Sequence, residues 1–167
     1  MHRIFFIAIM VKLTTSAIFT INMVKLRRLV KGRSARDLSA SVSSDPNLIS
    51  GFESMVIKSQ YPHHVLSSIA NELNDDIRLY YPPDEDLLED DGSRFVKEII
   101  SLSNIDDCTL VINGMIDAGC FIDGKSKDDT AIYLFEQGKP NALIIEQALK
   151  IAEKANKLSL RDGKYFS

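Results

Sequence analysis

Residues 98–123 read Glu-Ile-Ile-Ser-Leu-Ser-Asn-Ile-Asp-Asp-Cys-Thr-Leu-Val-Ile-Asn-Gly-Met-Ile-Asp-Ala-Gly-Cys-Phe-Ile-Asp, and this stretch determines the expected fold. Its apolar residues fall in two runs with the i, i+3, i+4 spacing of a buried helical face. The runs comprise Ile99, Ile100 and Leu102, then Leu110, Val111, Ile112, Met115 and Ile116. Asp106 and Asp107 separate the runs, and Gly119 can take the left-handed conformation that ends a helix. The stretch therefore predicts two short helices joined by a tight turn.

The pattern starts again at residue 130, so residues 130–156 predict a second pair of helices. Consecutive helical pairs of this kind are stacking units, because each pair can bury its apolar face only against a neighbour. We therefore expect an all-α fold of stacked helical hairpins. In such a stack, Ile100, Ile112 and Ile132 should share a single interior.

Both stretches resemble the ankyrin repeat family. The apolar positions of residues 98–123 match the helix-turn-helix of that repeat without a gap. Thr130-Ala-Ile-Tyr is similar to the Thr-Pro-Leu-His tetrapeptide of the family, and it begins 32 residues after Glu98, close to the family period of about 33. The resemblance implies one to two repeats within residues 95–167, forming a short solenoid that binds other proteins and catalyses no reaction.

The resemblance also implies where a partner would bind. Ankyrin-like units contact other proteins through a concave face made by their connectors and by the exposed side of their first helices. In this chain the connector covers residues 122–129. The candidate partner-binding residues are Asp123, Lys125, Lys127, Asp128, Tyr133 and Glu136. The expected partner is another protein, and no motif specifies its identity.

Motifs for catalysis or ligand binding are absent from the sequence. There is no Gly-rich phosphate loop, no His-Glu-x-x-His and no Gly-x-Ser-x-Gly. His63 and His64 are adjacent, and on a helix they would point about 100° apart rather than toward one metal ion. Cys108 and Cys120 have no Cys-x-x-Cys spacing, so we expect free, buried thiols. We predict no enzyme activity, no catalytic residue, no metal site and no cofactor.

The charge of the chain is unevenly distributed along the sequence. Residues 1–36 hold eight basic residues and no acidic residue, whereas residues 37–167 hold 12 basic and 23 acidic residues. Two interpretations remain open. The basic head is an arm directed at a membrane or a nucleic acid, or it associates with the acidic body of its own chain. We expect no nucleic acid partner.

Residues 4–24 are nearly all apolar and allow three interpretations. Their length suits a transmembrane helix of about 20 residues. The same segment resembles a short secretory signal. Alternatively, translation starts later, at Met10 or Met23, and the segment forms a loosely packed helix or little structure. We predict a cytoplasmic protein, with membrane association through residues 4–36 as a second prediction. The first alternative function is a membrane-tethered helical protein.

The remaining regions follow from composition. A flexible Ser/Ala-rich linker is predicted at residues 37–46, a helical region at 47–83 and an acidic loop at 84–94. Because fewer than three repeats seldom fold alone, the helical region should cap the stack.

Part of this helical region resembles another family. Residues 62–73, Pro-His-His-Val-Leu-Ser-Ser-Ile-Ala-Asn-Glu-Leu, are similar to the opening helix of an F-box. The similarity implies a second alternative function, an adaptor that presents a target to a ubiquitin ligase, of which a secreted bacterial effector is one form.

Overall fold

The computed structural model describes residues 11–83, 93–134 and 141–167. Within these ranges the α-helices are α1 Thr15–Val30, α2 Ala35–Val42, α3 Leu48–Glu53, α4 His63–Leu73, α5 Ile105–Asp117, α6 Lys127–Tyr133 and α7 Ala142–Lys154. A 3-10 helix spans Ile77–Tyr80. The strands are β1 Lys12–Thr14, β2 Arg94–Val96, β3 Lys125–Ser126, β4 Ser159–Arg161 and β5 Lys164–Phe166.

The fold is mixed α/β, so the prediction of an all-α fold is wrong. β1 pairs with β2, and β5 lies between β3 and β4, with antiparallel pairing throughout. The hairpin between β4 and β5 turns at Asp162 and Gly163, whose φ angles are 48° and 77°. Positive φ at both central residues is typical of the tight hairpin turn that Asp-Gly favours. The chain end therefore forms strands within the range where the resemblance implied helical repeats.

The first helix predicted within residues 98–123 is absent, because residues 99–102 are not helical. The side chain of Asn104 caps α5 by accepting hydrogen bonds from the backbone N–H groups of Asp106 and Asp107, at 2.8 and 3.2 Å. Both aspartates lie in the first turn of α5, where negative charge is favoured by the helix dipole. They begin a single helix instead of separating two.

The end of α5 follows the prediction. Gly119 has a φ angle of 75°. Its N–H donates to the carbonyl of Ile116, and the N–H of Cys120 donates to the carbonyl of Met115, both at 2.9 Å. This pair of hydrogen bonds is the Schellman arrangement that closes a helix at glycine. The prediction that Gly119 terminates a helix is therefore confirmed.

Two hydrophobic cores share α1. The N-terminal core comprises Val11, Leu13, Ala17, Ile21, Val24, Ala35, Leu38, Ile49, Phe52, Tyr61, Leu66, Ile69, Ala70, Leu73 and Tyr80. The C-terminal core comprises Leu29, Val30, Ile100, Leu102, Cys108, Val111, Ile112, Met115, Phe121, Ala131, Leu134, Ile145, Ala148, Leu149, Ala152, Leu158 and Tyr165. A Cβ atom at Gly114 of α5 would lie 2.9 Å from Cγ2 of Val30. Glycine at this position thus allows α5 to pack closely against α1.

The helix α1 occupies the centre of the fold. Ile21 and Val24 are completely buried in the N-terminal core, so the second part of the apolar segment 4–24 is neither loosely packed nor exposed. Residues 4–10 lie outside the described residues. No helix in the described ranges has the length and apolarity needed to cross a lipid bilayer.

The stretch predicted as a flexible linker is also ordered. Ser34 caps α2 by accepting a hydrogen bond from the N–H of Asp37 at 3.0 Å. Leu38 and Ser39 are completely buried, and the Ser39 hydroxyl accepts a hydrogen bond from the N–H of Ile49. Residues 35–42 are therefore a packed helix. The helices α3 and α4 lie within the predicted helical region. Most of the predicted acidic loop, residues 84–92, lies outside the described residues.

One of the three isoleucines that were predicted to share an interior does not lie in it. Ile100 and Ile112 lie in the C-terminal core, whereas Ile132 is 74% exposed. The helix α6 instead turns Thr130 and Ala131 inward. The second predicted unit therefore does not bury the face that stacking requires.

Candidate functional site

Five of the six predicted binding residues, all except Glu136, lie on the segment that leads from α5 through β3 into α6. Two glycines shape this segment. A Cβ atom at Gly119 would lie 2.9 Å from Cδ1 of Ile122, so the Ile122 side chain folds over the glycine. Gly124 has a φ angle of 74° and lies directly against the ring of Phe166 in β5. The chain is thus held against the C-terminal sheet, with Phe121 buried in the C-terminal core and with Ile122 and Asp123 exposed.

A capping box fixes the start of α6. The hydroxyl of Ser126 accepts a hydrogen bond from the N–H of Asp129 at 3.0 Å, and the Asp129 carboxylate accepts one from the N–H of Ser126 at 3.1 Å. The hydrogen bond from the Ser126 side chain lowers the pKa of Asp129. This start sets the helical phase, so that Thr130 faces the core while Asp128 and Ile132, four residues apart, share the exposed face.

The side chain of Tyr133 contacts residues at the end of α1. Its hydroxyl donates a 2.8 Å hydrogen bond to the carbonyl of Val30, at the end of α1. Its ring lies 3.0 Å from the Cβ position of Gly32. The ammonium of Lys125 lies 4.9 Å from the ring centre, within the range of a cation–π contact. Burial raises the pKa of Tyr133 to about 12. This side chain therefore joins α6 to α1, and only part of its ring is available to a partner.

The other predicted residues differ in how accessible they are. Lys127 forms an ion pair with Glu146 of α7 at 3.3 Å, and Glu146 also pairs with Lys150 at 2.7 Å. Asp123 and Asp128 are exposed. Glu136 lies outside the described residues. The structure thus brings Asp123, Lys125, Lys127, Asp128 and Tyr133 into one segment and leaves the two aspartates the most accessible.

Sequence reasoning missed two apolar residues on the same segment. Ile122 is 68% exposed and Ile132 is 74% exposed, which places them among the most exposed large hydrophobic residues that the structure describes. We use the name connector surface for Ile122, Asp123, Lys125, Asp128 and Ile132. The signal for Ile132 was present in the sequence, because a Ser126-x-x-Asp129 capping box starts the helix at a defined residue.

The basic head pairs with the acidic body of the same chain. Arg27 and Lys31 both form ion pairs with Asp75, the second at 2.9 Å. Arg28 donates a 2.6 Å hydrogen bond to Glu53. Further along, Arg33 pairs with Glu72 at 2.8 Å. Residues 27–33 of the head therefore associate with the acidic body of the same chain.

The described residues contain no group of three or more His, Cys, Asp or Glu side chains that could hold a metal ion. Cys108 and Cys120 are free thiols, as expected, but the expected burial holds only for Cys108, since Cys120 is partly exposed. Burial raises the pKa of Cys108 to about 11, which disfavours the reactive thiolate. His63 bonds through Nδ1 to the hydroxyl of Tyr81 at 2.6 Å.

Neither a family model, a curated protein nor a solved structure matches this chain. The ankyrin and F-box resemblances therefore depend only on the residues quoted for them. In the F-box-like helix α4, Leu66, Ile69 and Leu73 are buried in the N-terminal core, so the apolar pattern of that helix serves the fold of this chain.

Proposed function

We propose that this chain is a protein–protein interaction module that binds its partner through the connector surface and catalyses no reaction. The observation that carries the proposal is the exposure of Ile122 and Ile132 on a segment that is otherwise firmly packed. Covering one such side chain with a partner is worth about 1.5–3 kcal/mol.

The charges around these two residues favour a particular kind of partner. Asp123 and Asp128 are exposed beside the isoleucines, whereas Lys125 and Lys127 are partly occupied by Tyr133 and Glu146. A partner with basic residues around an apolar groove would complement this arrangement, since charge complementarity steers association. The free thiols support a reducing compartment such as the cytoplasm.

A comparison of two single variants tests the proposal. Ile132→Asp places a charge on the connector surface. Val56→Asp is a matched control, because Val56 is also branched, is 72% exposed and lies in the other half of the chain. Each full-length variant and the wild type would serve as bait in a cell lysate, and captured proteins would be measured by quantitative mass spectrometry.

We expect at least one protein whose recovery falls about tenfold with Ile132→Asp, corresponding to about 1.4 kcal/mol, and is retained with Val56→Asp. Ile122→Asp should reduce the same protein. Identical recoveries for the Ile132 and Val56 variants would show that the connector surface is not the binding site.

A further inference from the structure

The end of α1 is contacted by both halves of the molecule. Gly32 closes the helix with a φ angle of 65°. Its N–H donates to the carbonyl of Leu29 at 3.0 Å, and the N–H of Arg33 donates to the carbonyl of Arg28 at 2.8 Å. These two hydrogen bonds form a Schellman closure, which fixes the path of the chain as it leaves the helix. We use the name α1 joint for residues 30–33.

The C-terminal half contacts the α1 joint through the end of α6. The hydroxyl of Tyr133 donates to the carbonyl of Val30 at 2.8 Å, and the thiol of Cys120 donates to the same carbonyl at 3.7 Å. A Cβ atom at Gly32 would lie 3.0 Å from the ring of Tyr133, so the ring packs directly on the glycine. The last carbonyls of a helix lack partners within the helix. Tyr133 therefore supplies a partner to the end of α1 and is itself held there.

The N-terminal half contacts the α1 joint through two ion pairs. The ammonium of Lys31 pairs with the carboxylate of Asp75 at 2.9 Å, and it donates a hydrogen bond to the carbonyl of Leu73, the last residue of α4. Arg33 pairs with Glu72 at 2.8 Å. A cation at the C-terminal end of a helix is favoured by the helix dipole. Lys31 thus joins the end of α1 to the end of α4.

The helix α6 depends on its contacts with the rest of the molecule. It spans seven residues, and a helix of this length has little stability of its own. The capping box of Ser126 fixes its start, and Tyr133, its last residue, fixes its other end on the α1 joint. Ile132 precedes Tyr133 directly, and the ammonium of Lys125 lies over the Tyr133 ring. Two residues of the connector surface are therefore positioned by Tyr133.

We propose that Lys31 is a positioning residue for the connector surface, acting through the α1 joint and Tyr133. Lys31 fixes the last turn of α1 on α4, this turn presents the carbonyl of Val30 to Tyr133, and Tyr133 fixes the end of α6. A partner then meets an ordered surface and does not have to order α6 itself, which raises its affinity. This role rests on the proposed function, in which the connector surface is the binding site.

Amide hydrogen exchange of the full-length chain, resolved by residue with NMR, tests the positioning without any partner. Lys31→Met removes the ammonium and keeps an unbranched side chain. Arg27→Met is the matched control, because Arg27 pairs with the same Asp75, lies one turn earlier in α1, and has a side chain that is 28% exposed against 31% for Lys31. Exchange at residues 131–134, at the end of α6, is compared with exchange in α5 of the same sample. Dividing by the α5 rates removes any change in the stability of the C-terminal core.

We expect exchange at residues 131–134 to rise about fivefold relative to α5 in Lys31→Met, as is typical of coupling between distant sites. Arg27→Met should exchange as the wild type does. Lys31→Arg keeps a cation at the end of α4 and should retain most of the protection. Unchanged exchange at these amides in Lys31→Met, or equal rises in Lys31→Met and Arg27→Met, would overturn the proposal.

The Tyr133→Phe background tests the route of the coupling. Since Tyr133→Phe removes the hydrogen bond to Val30, adding Lys31→Met should then raise the exchange of α6 clearly less than it does in the wild type. The same rise in both backgrounds would overturn the route through Tyr133. Failure of the proposed function is a separate result, because it appears as protein capture that Ile132→Asp does not change, whatever the exchange rates are.

Discussion

The N-terminal core packs its apolar side chains around ionised groups, whereas the C-terminal core is built almost entirely from apolar contacts. The two cores contain 15 and 17 buried hydrophobic residues, so they are similar in size. The buried polar or charged residues that the structure describes are Thr20, Lys25, Arg28, Ser39, Lys97 and Thr130. Of these, Thr130 is the one that belongs with the C-terminal core.

Ion pairs show the same difference. Glu53 and Asp75, on the N-terminal side, have side chains that are 7% and 2% exposed, and they pair with basic residues of α1. The described ion pairs of the C-terminal side join Glu146 to Lys127 and Lys150 on the surface. Buried charges are costly unless paired, so the N-terminal half should depend on its carboxylates far more strongly than the C-terminal half does.

The largest expected difference in stability is between two variants that each remove one carboxylate, one in each half of the chain. Glu53→Gln keeps the side-chain volume but removes the charge that pairs with Arg28, which is 1% exposed. Loss of one partner of a buried pair should lower the free energy of unfolding by about 3–5 kcal/mol. Glu146→Gln removes a surface charge and should leave stability close to that of the wild type. Urea unfolding monitored by circular dichroism measures both, and equal effects would contradict the comparison.

The pH dependence of stability should also originate in the N-terminal half. Burial alone would raise the pKa of Asp75, but hydrogen bonds from Arg27, Lys31 and Tyr80 outweigh it and hold the pKa at about 2. Because the folded-state pKa is below the ordinary value, the carboxylate stabilises the fold at neutral pH. This stabilisation is lost as the pH falls from about 4 to about 2.

Asp75→Asn measures this contribution. Solvent screening reduces the stabilisation that the lowered pKa of Asp75 implies. We therefore expect the variant to be less stable than wild type by about 1–2 kcal/mol at pH 7, and this difference should shrink toward pH 2. Ile112→Ala in the C-terminal core is the control, since it removes no titratable group and should cost the same at each pH. A difference for Asp75→Asn that stays constant down to pH 2 would refute the role of the carboxylate.

Local signals in the sequence predicted the local features of the C-terminal half. Gly119 ends α5 as expected, and the apolar run from residue 110 to 116 lies in that helix. Asp106 and Asp107 were predicted to form the turn between two helices, whereas they lie in the first turn of α5. Aspartate suits both positions equally well. Asn104 decides between them by capping both N–H groups.

The organisation around α1 could not be predicted, because it depends on contacts between distant residues. Arg28 meets Glu53 across 25 positions, and Tyr133 meets Val30 across 103. Without these partners, the basic and apolar residues of α1 look like a membrane-facing or poorly packed segment. The same limit affected the candidate site: Tyr133 looked available on a helix, and only its contact with Val30 shows that its hydroxyl is occupied.

The smallest expected difference in stability is between two tyrosine-to-phenylalanine variants, one in each half of the chain. Among the described residues, the hydroxyl of Tyr61 is a buried polar atom with no hydrogen-bond partner. Burial also raises its pKa well above the ordinary value. Tyr61→Phe removes this atom and should leave the protein as stable as wild type or more stable by up to about 1 kcal/mol.

Tyr133→Phe should have the opposite sign, because it removes a donor and leaves the carbonyl of Val30 without that hydrogen bond. The expected loss is about 0.5–1.5 kcal/mol. Thermal and urea unfolding of both variants would compare them on one scale. Since the two substitutions are chemically identical, the difference between them isolates the hydrogen-bond partner. A clear loss of stability in Tyr61→Phe would mean that its hydroxyl is satisfied in solution, and that the N-terminal core accommodates polar groups more fully than its ion pairs alone indicate.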